Sequence, residues 1–281
     1  MKFGFVTCVQ LGLSCIESIY QSGGKLDLLI TLHDNKARQK SGRIYLDDIS
    51  KREDVELLKI NHVNDIEVID AVRKHDIDWL FIIGWSQIAS YDLLKAPKNG
   101  CIGMHPTLLP VGRGRASIPW AIMKNLQETG VTMFKMDKGV DTGDIIGQEI
   151  IDIDQSETAT SLYKKVNEAH ATLIKNIYPK LLEGTINLMK QDESKATIWE
   201  GRTPADGEMK YEMKVEEVDR LVRATTKPYP GAFIISNNVK IIVWSGRIRE
   251  RNQPDSIKLI INFSNGDFLI DEFDIEILDQ V

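Results

Sequence analysis

Two side chains that can carry a proton, those of His105 and Asp141, stand at the ends of apolar runs in this sequence. His105 follows the apolar run 100–104 and precedes Pro106, and Asp141 lies in a glycine-containing turn after the apolar run 131–136. Catalytic groups collect at strand ends in open α/β sheets. A histidine oriented by an aspartate is a typical general base. Each residue alone is also compatible with a structural role, because Asp-Thr-Gly can form a simple turn.

A basic, glycine-rich loop follows His105. Its sequence Gly-Arg-Gly-Arg spans 112–115 and comes directly before a helical pattern. Two guanidinium groups on such a loop favour a phosphate or diphosphate ligand, contacted by Arg113 and Arg115. A solvated basic loop without a ligand is the alternative. The spacing lacks the P-loop pattern, so we do not predict an ATP site.

The composition indicates an ordinary globular protein: 281 residues, 42% of them hydrophobic and 27% charged. The net charge of −6 gives no general attraction to nucleic acid or to an anionic membrane surface. No apolar run approaches the roughly 20 residues that span a bilayer, and the N-terminus lacks a signal-peptide pattern. The three cysteines and five histidines show no metal-ligand spacing. We therefore expect no metal and a reduced, cytoplasmic protein.

The elements that must position these groups alternate between strands and helices over residues 1–185. The segments 2–8 and 26–32 predict strands on either side of a helix over 12–20, which together form a parallel βαβ unit. This alternation predicts an α/β, Rossmann-like, mostly parallel sheet with helices on both faces. Asn64 is the predicted N-cap of a helix over 64–74. The polar segment 33–54 is predicted to be a functional or mobile loop. Further strands are predicted over 79–83, 100–104, 131–136 and 145–153, and further helices over 91–94, 116–125 and 156–182.

A different pattern begins after about residue 190. One more helix is predicted over 215–225, and turn residues separate the short apolar runs that follow it. These runs, at 232–236, 240–245, 257–262, 268–270 and 275–278, predict short strands. We therefore predict a small, mostly β, OB-like C-terminal domain over 196–281.

Several motifs, in this order along the chain, resemble the formyltransferase family that uses 10-formyltetrahydrofolate. They are His-Pro-Thr-Leu-Leu-Pro at 105–110, Arg-Gly-Arg-Ala at 113–116, Gly-Val-Thr at 130–132, and Asp137 with Asp-Thr-Gly at 141–143. The segments 202–207 and 223–232 resemble the C-terminal domain of the family's sugar and tRNA members. The family includes methionyl-tRNA formyltransferase, glycinamide ribonucleotide formyltransferase and the sugar N-formyltransferases of lipopolysaccharide O-antigen biosynthesis. The resemblance implies a formyltransferase catalytic domain over 1–190.

The resemblance also implies residues for the site. The family's catalytic histidine and aspartate match His105 and Asp141, while Gln10, Arg113 and Arg115 are assigned to the acceptor. The loops expected to bind the folate contain Trp85, Ser86, Gln87, Ile88, Asp137, Gly139 and Val140.

One position departs from the family pattern. The family asparagine, two residues before the histidine, is Gly103 in this chain. That asparagine helps to hold the formyl oxygen as it becomes negative, and the loss of one such donor costs on the order of 10²–10³ in rate. Three interpretations stay open: another donor such as Gln87, a backbone N–H or a water replaces it; the enzyme is slow; or the protein binds without turnover.

The sequence also bears on which molecule accepts the formyl group. Residues 196–281 contain 11 Lys/Arg and 15 Asp/Glu, which makes this segment a poor surface for a tRNA. We therefore expect a small-molecule acceptor, a nucleotide-linked amino-deoxysugar, with no nucleic acid and no membrane as partner. A homodimer is left open. The alternatives are a methionyl-tRNA formyltransferase and, because of Gly103, a non-catalytic homologue that binds folate or a nucleotide sugar.

Overall fold

The computed structural model describes residues 1–37, 42–249 and 259–278. They divide into two compact units. The first unit contains residues 1–114, 130–151 and 165–198, and the second contains residues 115–129, 152–164 and those from 199 onward. The first unit is assembled from three segments, because the chain leaves it twice and returns.

The helices and strands are numbered in chain order. The strands are β1 (Phe3–Val6), β2 (Leu28–Leu32), β3 (Leu57–Ile60), β4 (Trp79–Ile82), β5 (Gly100–His105), β6 (Arg113–Gly114), β7 (Glu128–Lys135), β8 (Ile145–Asp152), β9 (Ile198–Trp199), β10 (Ala232–Ser236), β11 (Val239–Ile248), β12 (Ile260–Phe263) and β13 (Gly266–Ile277). The helices are α1 (Gln10–Gln21), α2 (Asp34–Ala37), α3 (Asp47–Glu53), α4 (Ile66–Lys74), α5 (Tyr91–Leu94), α6 (Ser117–Met123), α7 (Ala159–Glu183) and α8 (Val215–Thr225). No described helix is long and apolar enough to cross a membrane.

The main sheet of the first unit confirms the predicted α/β class. Its strands lie in the order β3-β2-β1-β4-β5-β7-β8. The pairs from β3 to β5 are parallel, and β7 runs antiparallel to β5. The order reverses between β1 and β4, and open α/β sheets bind ligands outside the carboxyl ends of the strands at such a point.

Side chains alternate between the two faces of the sheet along each strand, and both faces are covered by packed side chains. On one face, the Phe3 ring lies 6.0 Å from the Phe81 ring and 4.8 Å from that of Tyr178 in α7. On the other, Val6 and Leu80 belong to a core cluster that includes residues of α4 and α5. Burial on both faces explains why the strands read as continuous apolar runs rather than alternating ones.

The second unit confirms the predicted mostly-β character of the C-terminal part. Its four-stranded sheet is antiparallel, in the order β10-β11-β13-β12. A register shift on either side of Ser245 gives β11 a β-bulge, which increases the bend and twist of the strand. Helix α8 buries Val218 and Val222 in a core cluster shared with this sheet.

Some local predictions were wrong. Asn64 does not cap α4: the helix begins after Asp65, and the Asn64 carboxamide instead bonds the Ile88 carbonyl and the Ser90 N–H, at 2.9 and 2.8 Å. The predicted loop 33–54 contains α2 and α3, although residues 38–41 lie outside the described part. In α3 only Ile49 is buried, so the helix has little apolar periodicity.

The observed strands also differ from the predicted ones in two places. The strand β3 was not predicted at all. The runs 268–270 and 275–278 form one strand, β13, because acidic residues between them stay paired with β11. The predicted strand 257–262 begins outside the described residues, and β12 starts at Ile260.

Candidate active site

His105 is the last residue of β5 and is buried, with 7% of its surface exposed. Its Nε2 lies 2.8 Å from the Gly112 carbonyl oxygen. Because a carbonyl only accepts, Nε2 carries the hydrogen and donates it. In the neutral ring this leaves the lone pair on Nδ1, which faces Asp141. The hydrogen bond therefore selects the tautomer whose basic nitrogen points toward the carboxylate.

Asp141 meets His105 in space, which the sequence alone did not show. Its Oδ2 lies 3.5 Å from Nδ1 of His105 and accepts a 3.0 Å hydrogen bond from the Gly114 N–H. Asp141 has a φ of 56°, in the left-handed region that few residues except Gly, Asn and Asp adopt readily. This backbone conformation turns the side chain back from the loop after β7 toward the end of β5.

The loop that contains Asp141 is held by hydrogen bonds between its own residues. Asp137 Oδ1 accepts hydrogen bonds from the Gly139 N–H at 3.0 Å and the Thr142 hydroxyl at 2.6 Å. A Cβ at Gly143 would lie 1.8 Å from the Lys135 carbonyl oxygen, so the backbone packs there in a way that only glycine permits. These contacts fix the turn in which the sequence motif Asp-Thr-Gly was found.

The loop after His105 is held by Thr132, the last residue of the Gly-Val-Thr motif, for which the sequence predicted no role. The Thr132 hydroxyl donates to the Thr107 carbonyl at 2.7 Å and accepts from the Leu109 N–H at 3.0 Å. The side chain of Gln148 donates to the same hydroxyl and to the Leu109 carbonyl, at 2.8 and 2.9 Å. The segment 105–110 therefore has a fixed course along β7 and β8.

Arg113 lies inside the unit rather than on its surface. It is 6% exposed, and its guanidinium donates to Gln191 Oε1 from Nε and one Nη, at 3.1 and 2.8 Å. Both Nη atoms also contact the Glu193 carboxylate, at 2.9 and 2.7 Å. This ion pair raises the pKa of Arg113 and lowers that of Glu193. The contacts favour a scaffolding role for Arg113 over the phosphate contact predicted from the sequence.

Gln191 is a second residue whose role the sequence did not predict. It is buried, with 9% of its surface exposed. While its oxygen accepts from Arg113, its Nε2 donates to the carbonyls of Asp141 and Gly143, both at 2.8 Å. One carboxamide thus joins the basic loop to the backbone of the aspartate loop. No local motif marks it, because it lies 50 residues beyond Asp141 in the sequence.

The loop after β4 contains four of the residues expected to bind folate, and it lies at the reversal point of the sheet. Gln87 Oε1 accepts from the Val63 N–H at 2.8 Å and the Trp85 indole at 3.2 Å. Its amide nitrogen reaches the Asn61 carbonyl at 3.4 Å. The Gln87 side chain is therefore already bound to Trp85 and to the segment after β3, which argues against it as the substitute for the family asparagine. Ser86 and Ile88 are exposed on this loop.

The remaining predicted residues lie apart from this network. Val140, 56% exposed, stands on the loop before Asp141. Gln10 is exposed at the first residue of α1, where its side chain bonds Ser14 at 3.2 Å. Arg115 is exposed and belongs to the second unit.

Gly103 lies in β5 between Ile82 of β4 and Phe134 of β7. A Cβ at this position would lie 3.0 Å from the Phe134 ring and 3.2 Å from Met136. Such distances are tighter than ordinary van der Waals contact. The space beside the main chain, where an asparagine would begin, is therefore occupied by two apolar side chains.

A second histidine, His170 in α7, lies close enough to His105 for their charges to interact. It is 1% exposed, and its Nδ1 donates to the Val166 carbonyl at 2.8 Å. Burial lowers the pKa of His170 to about 4, the Val166 carbonyl opposes this shift, and a charge on His105 adds to it. The ring therefore stays neutral at physiological pH. Within the described residues, no group of three or more His, Cys, Asp or Glu side chains could hold a metal ion.

Two family profiles match the chain. One described as "Formyl transferase" matches residues 16–177, and one described as "Formyl transferase, C-terminal domain" matches residues 202–273. A curated relative, the bifunctional polymyxin resistance protein ArnA of Wigglesworthia glossinidia brevipalpis, is 32% identical over 241 residues. The match covers 85% of this chain and 36% of the relative, so the chain spans about a third of that protein's length.

Solved structures share the fold. An N-formyltransferase from Helicobacter canadensis, in complex with folinic acid and dTDP-3-aminofucose, matches 98% of this chain and all of its own, with a TM-score of 0.73 and 19% identity. A methionyl-tRNA formyltransferase from Clostridium thermocellum matches all of both chains, with a TM-score of 0.63 and 18% identity. A 4-N formyltransferase from Francisella tularensis matches 84% of this chain and 93% of its own, with a TM-score of 0.65 and 21% identity. At these identities the likeness shows the fold.

Proposed function

The chain belongs to the formyl transferase family, and from this premise we propose that it moves a formyl group from 10-formyltetrahydrofolate to the amine of a nucleotide-linked amino-deoxysugar. The observation that supports this chemistry best is the 3.5 Å distance between the buried His105, at the end of a central strand, and the partly buried Asp141. Formyl transfer needs a proton acceptor for the attacking amine and a donor for the departing folate nitrogen. A histidine stabilised by a carboxylate serves both steps.

The proton acceptor in this proposal is Nδ1 of His105. The neutral amine attacks the formyl carbon, a C–N bond forms, and the formyl oxygen becomes negative in a tetrahedral intermediate. Nδ1 takes the proton from the amine, and Asp141 stabilises the imidazolium that results. The bond between the formyl carbon and the folate nitrogen then breaks, and the proton goes to that nitrogen. No covalent bond to the enzyme forms at any stage.

The folate is assigned to the loops after β4 and β7. The fit rests on their position and surface: the β4 loop leaves the sheet at its reversal point, where ligands of open sheets bind. Ile88 is 75% exposed and Val140 is 56% exposed, so each loop presents an apolar side chain that suits the flat face of a pterin. Backbone groups of Asp137 and Gly139 are assigned to its polar edge.

A nucleotide sugar is the acceptor that the charge distribution favours. Residues 196–281 are net acidic, which disfavours a tRNA backbone. The Helicobacter canadensis structure contains a dTDP-amino sugar together with a folate, and it covers nearly the whole of this chain. The methionyl-tRNA enzyme is the second candidate, since the Clostridium thermocellum structure matches both chains over their full length.

The experiment mixes the purified protein, 10-formyltetrahydrofolate and a panel of dTDP-, UDP- and GDP-linked amino sugars. We expect a mass gain of one formyl group on at least one sugar. The parallel reaction contains aminoacylated initiator tRNA. Formylation of the tRNA alone would transfer the assignment to the second candidate. Binding of folate and sugar nucleotide without any product would establish a non-catalytic homologue.

A further inference from the structure

Two cations contact one tryptophan in the second unit, and the stem of a third lies next to one of them. Trp120 stands in α6, and its indole N–H donates to the Glu200 carbonyl at 2.9 Å. Lys124 Nζ lies 5.3 Å from the centroid of the Trp120 ring, and Arg202 Cζ lies 5.2 Å from it. A Cβ on Gly201 would lie 3.5 Å from Cδ of Arg115, so the Arg115 stem crosses the backbone next to Arg202. We call Arg115, Lys124, Arg202 and Trp120 the Trp120 cluster.

No described carboxylate forms an ion pair with this cluster. Among the described residues, no Asp or Glu oxygen lies within 4.0 Å of a side-chain nitrogen of Arg115, Lys124 or Arg202. The nearby Asp206 carboxylate accepts instead from the N–H and hydroxyl of Thr203, at 2.5 and 2.8 Å. Partial burial lowers the pKa of Arg202, and the charge of Asp206 opposes this shift without reversing it. One Nη of Arg202 donates to the Asp206 main-chain carbonyl at 2.6 Å.

Two other cations of the same unit show what is unusual here. Lys227 lies 5.1 Å from the Trp244 centroid and pairs with Glu272 at 3.4 Å. Lys240 lies 4.9 Å from the Phe233 centroid and pairs with Glu276 at 3.0 Å. Both make a cation–π contact and also have a carboxylate partner. Residues 196–281 contain more acidic than basic residues, so Arg202, a cation of this segment without an ion pair, is a specific feature.

We infer that the Trp120 cluster binds the diphosphate of the acceptor nucleotide. This inference rests on the proposed function, and it extends the predicted site from Arg115 to Lys124 and Arg202. A guanidinium can donate two parallel hydrogen bonds to phosphate oxygens, and an ammonium binds them as a compact positive charge. The cluster offers both kinds of contact. The indole keeps the two charged side chains at fixed distances from its ring, which reduces the ordering that binding requires.

Arg115 and Arg113 belong to the same basic loop, 112–115. Arg115 directly follows Gly114, whose N–H is bonded to Asp141. Arg113, the other arginine of the loop, is already engaged by Gln191 and Glu193. The diphosphate role is therefore assigned to Arg115, Lys124 and Arg202, which form no ion pair with a described carboxylate.

The test compares Lys124→Gln and Arg202→Gln with Lys227→Gln, a matched control in which the cation–π lysine has a carboxylate partner. Calorimetric titration with dTDP, UDP, GDP and inorganic pyrophosphate measures diphosphate affinity, and titration with folinic acid measures folate affinity. We expect each cluster variant to bind the preferred diphosphate about 10-fold more weakly, since a charge-assisted hydrogen bond is lost. Folinic acid should bind all variants as it binds the wild type, and thermal unfolding verifies that each variant is folded.

Wild-type diphosphate affinity in both cluster variants would overturn the inference, as would a wild-type protein that binds no diphosphate at all. A loss of folinic acid affinity equal to or larger than that of the diphosphate would also overturn it, because the cations would then serve the folate carboxylates. The proposed function fails by a different result, the absence of formyl transfer to any amino-sugar nucleotide. The two failures are therefore distinguishable.

Discussion

The Gln191 carboxamide donates a 2.8 Å hydrogen bond to the main-chain carbonyl of Asp141. The same carboxamide accepts from Arg113 on its other side. The aspartate loop and the basic loop are therefore tied by a side chain that has no acid or base chemistry of its own. In such an arrangement, activity depends on a residue that never touches the reacting atoms.

The first prediction concerns this tie. Gln191→Glu keeps the acceptor for Arg113 but removes both donors and places a carboxylate against the carbonyls of Asp141 and Gly143. We expect kcat to fall on the order of 10²-fold, because a displacement of about 1 Å of a catalytic group costs that much. Folate and nucleotide affinity should change little. Steady-state kinetics separates kcat from KM for each substrate.

The matched control is Glu193→Gln, which changes the exposed partner of the same arginine. Its side chain is 69% exposed, and surface ion pairs contribute little. We expect kcat close to wild type. If Glu193→Gln loses as much activity as Gln191→Glu, the ion pair of Arg113 affects activity, and the hydrogen bond from Gln191 to the Asp141 carbonyl does not explain the loss.

The second prediction concerns the proton carriers. His105→Ala and Asp141→Asn should each lower turnover by roughly 10²–10⁴-fold, the usual value of a positioned general base. Asp141→Asn keeps an oxygen that can accept from Gly114, so the loop should keep its course while the carboxylate charge is lost. Thermal unfolding should show a folded protein in both cases. Full activity in either variant would assign that residue a structural role.

The sequence predicted the parts of this protein that local patterns encode. Buried strands are continuous apolar runs, and α8 was predicted with its observed bounds, 215–225, because its apolar face is regular. His105 and Asp141 were predicted as proton carriers from their turn motifs; the structure places them 3.5 Å apart, and their catalytic role stays a prediction. The roles of Gln191 and Thr132 were not predicted, since they depend on contacts with segments far away in the sequence. Arg113 was assigned to a ligand because sequence does not show that Glu193 lies beside it.

The third prediction is a pH dependence of stability that arises from His170. Its pKa in the folded protein, about 4, is lower than its ordinary value of 6.5, so the unfolded chain binds the proton more readily. Stability is therefore fully present above pH 6.5 and falls as the pH decreases toward 4. At 1.36 kcal/mol per pKa unit, the loss is roughly 3 kcal/mol.

The matched variant is His170→Asn, which keeps a donor for the Val166 carbonyl and cannot titrate. Urea unfolding at several values between pH 7 and pH 4.5 measures the free energy of unfolding of both proteins. The wild type should lose stability faster than the variant over this range. Parallel curves would show that carboxylates alone account for the acid sensitivity.

The last prediction concerns Gly103. If the family asparagine were simply missing, Gly103→Asn would add a donor for the formyl oxygen and raise the rate by about 10²-fold. The structure favours the opposite result, because a Cβ at 103 would meet the Phe134 ring at 3.0 Å and Met136 at 3.2 Å. We expect Gly103→Asn to lower turnover and also stability, since Phe134 is buried in the cluster with Leu109 and Ile145. Adding Phe134→Leu makes room beside the new side chain. The double variant should therefore recover activity relative to Gly103→Asn, and single-turnover formylation measures both. A large gain in rate from Gly103→Asn alone would show that the site has not been rebuilt around glycine.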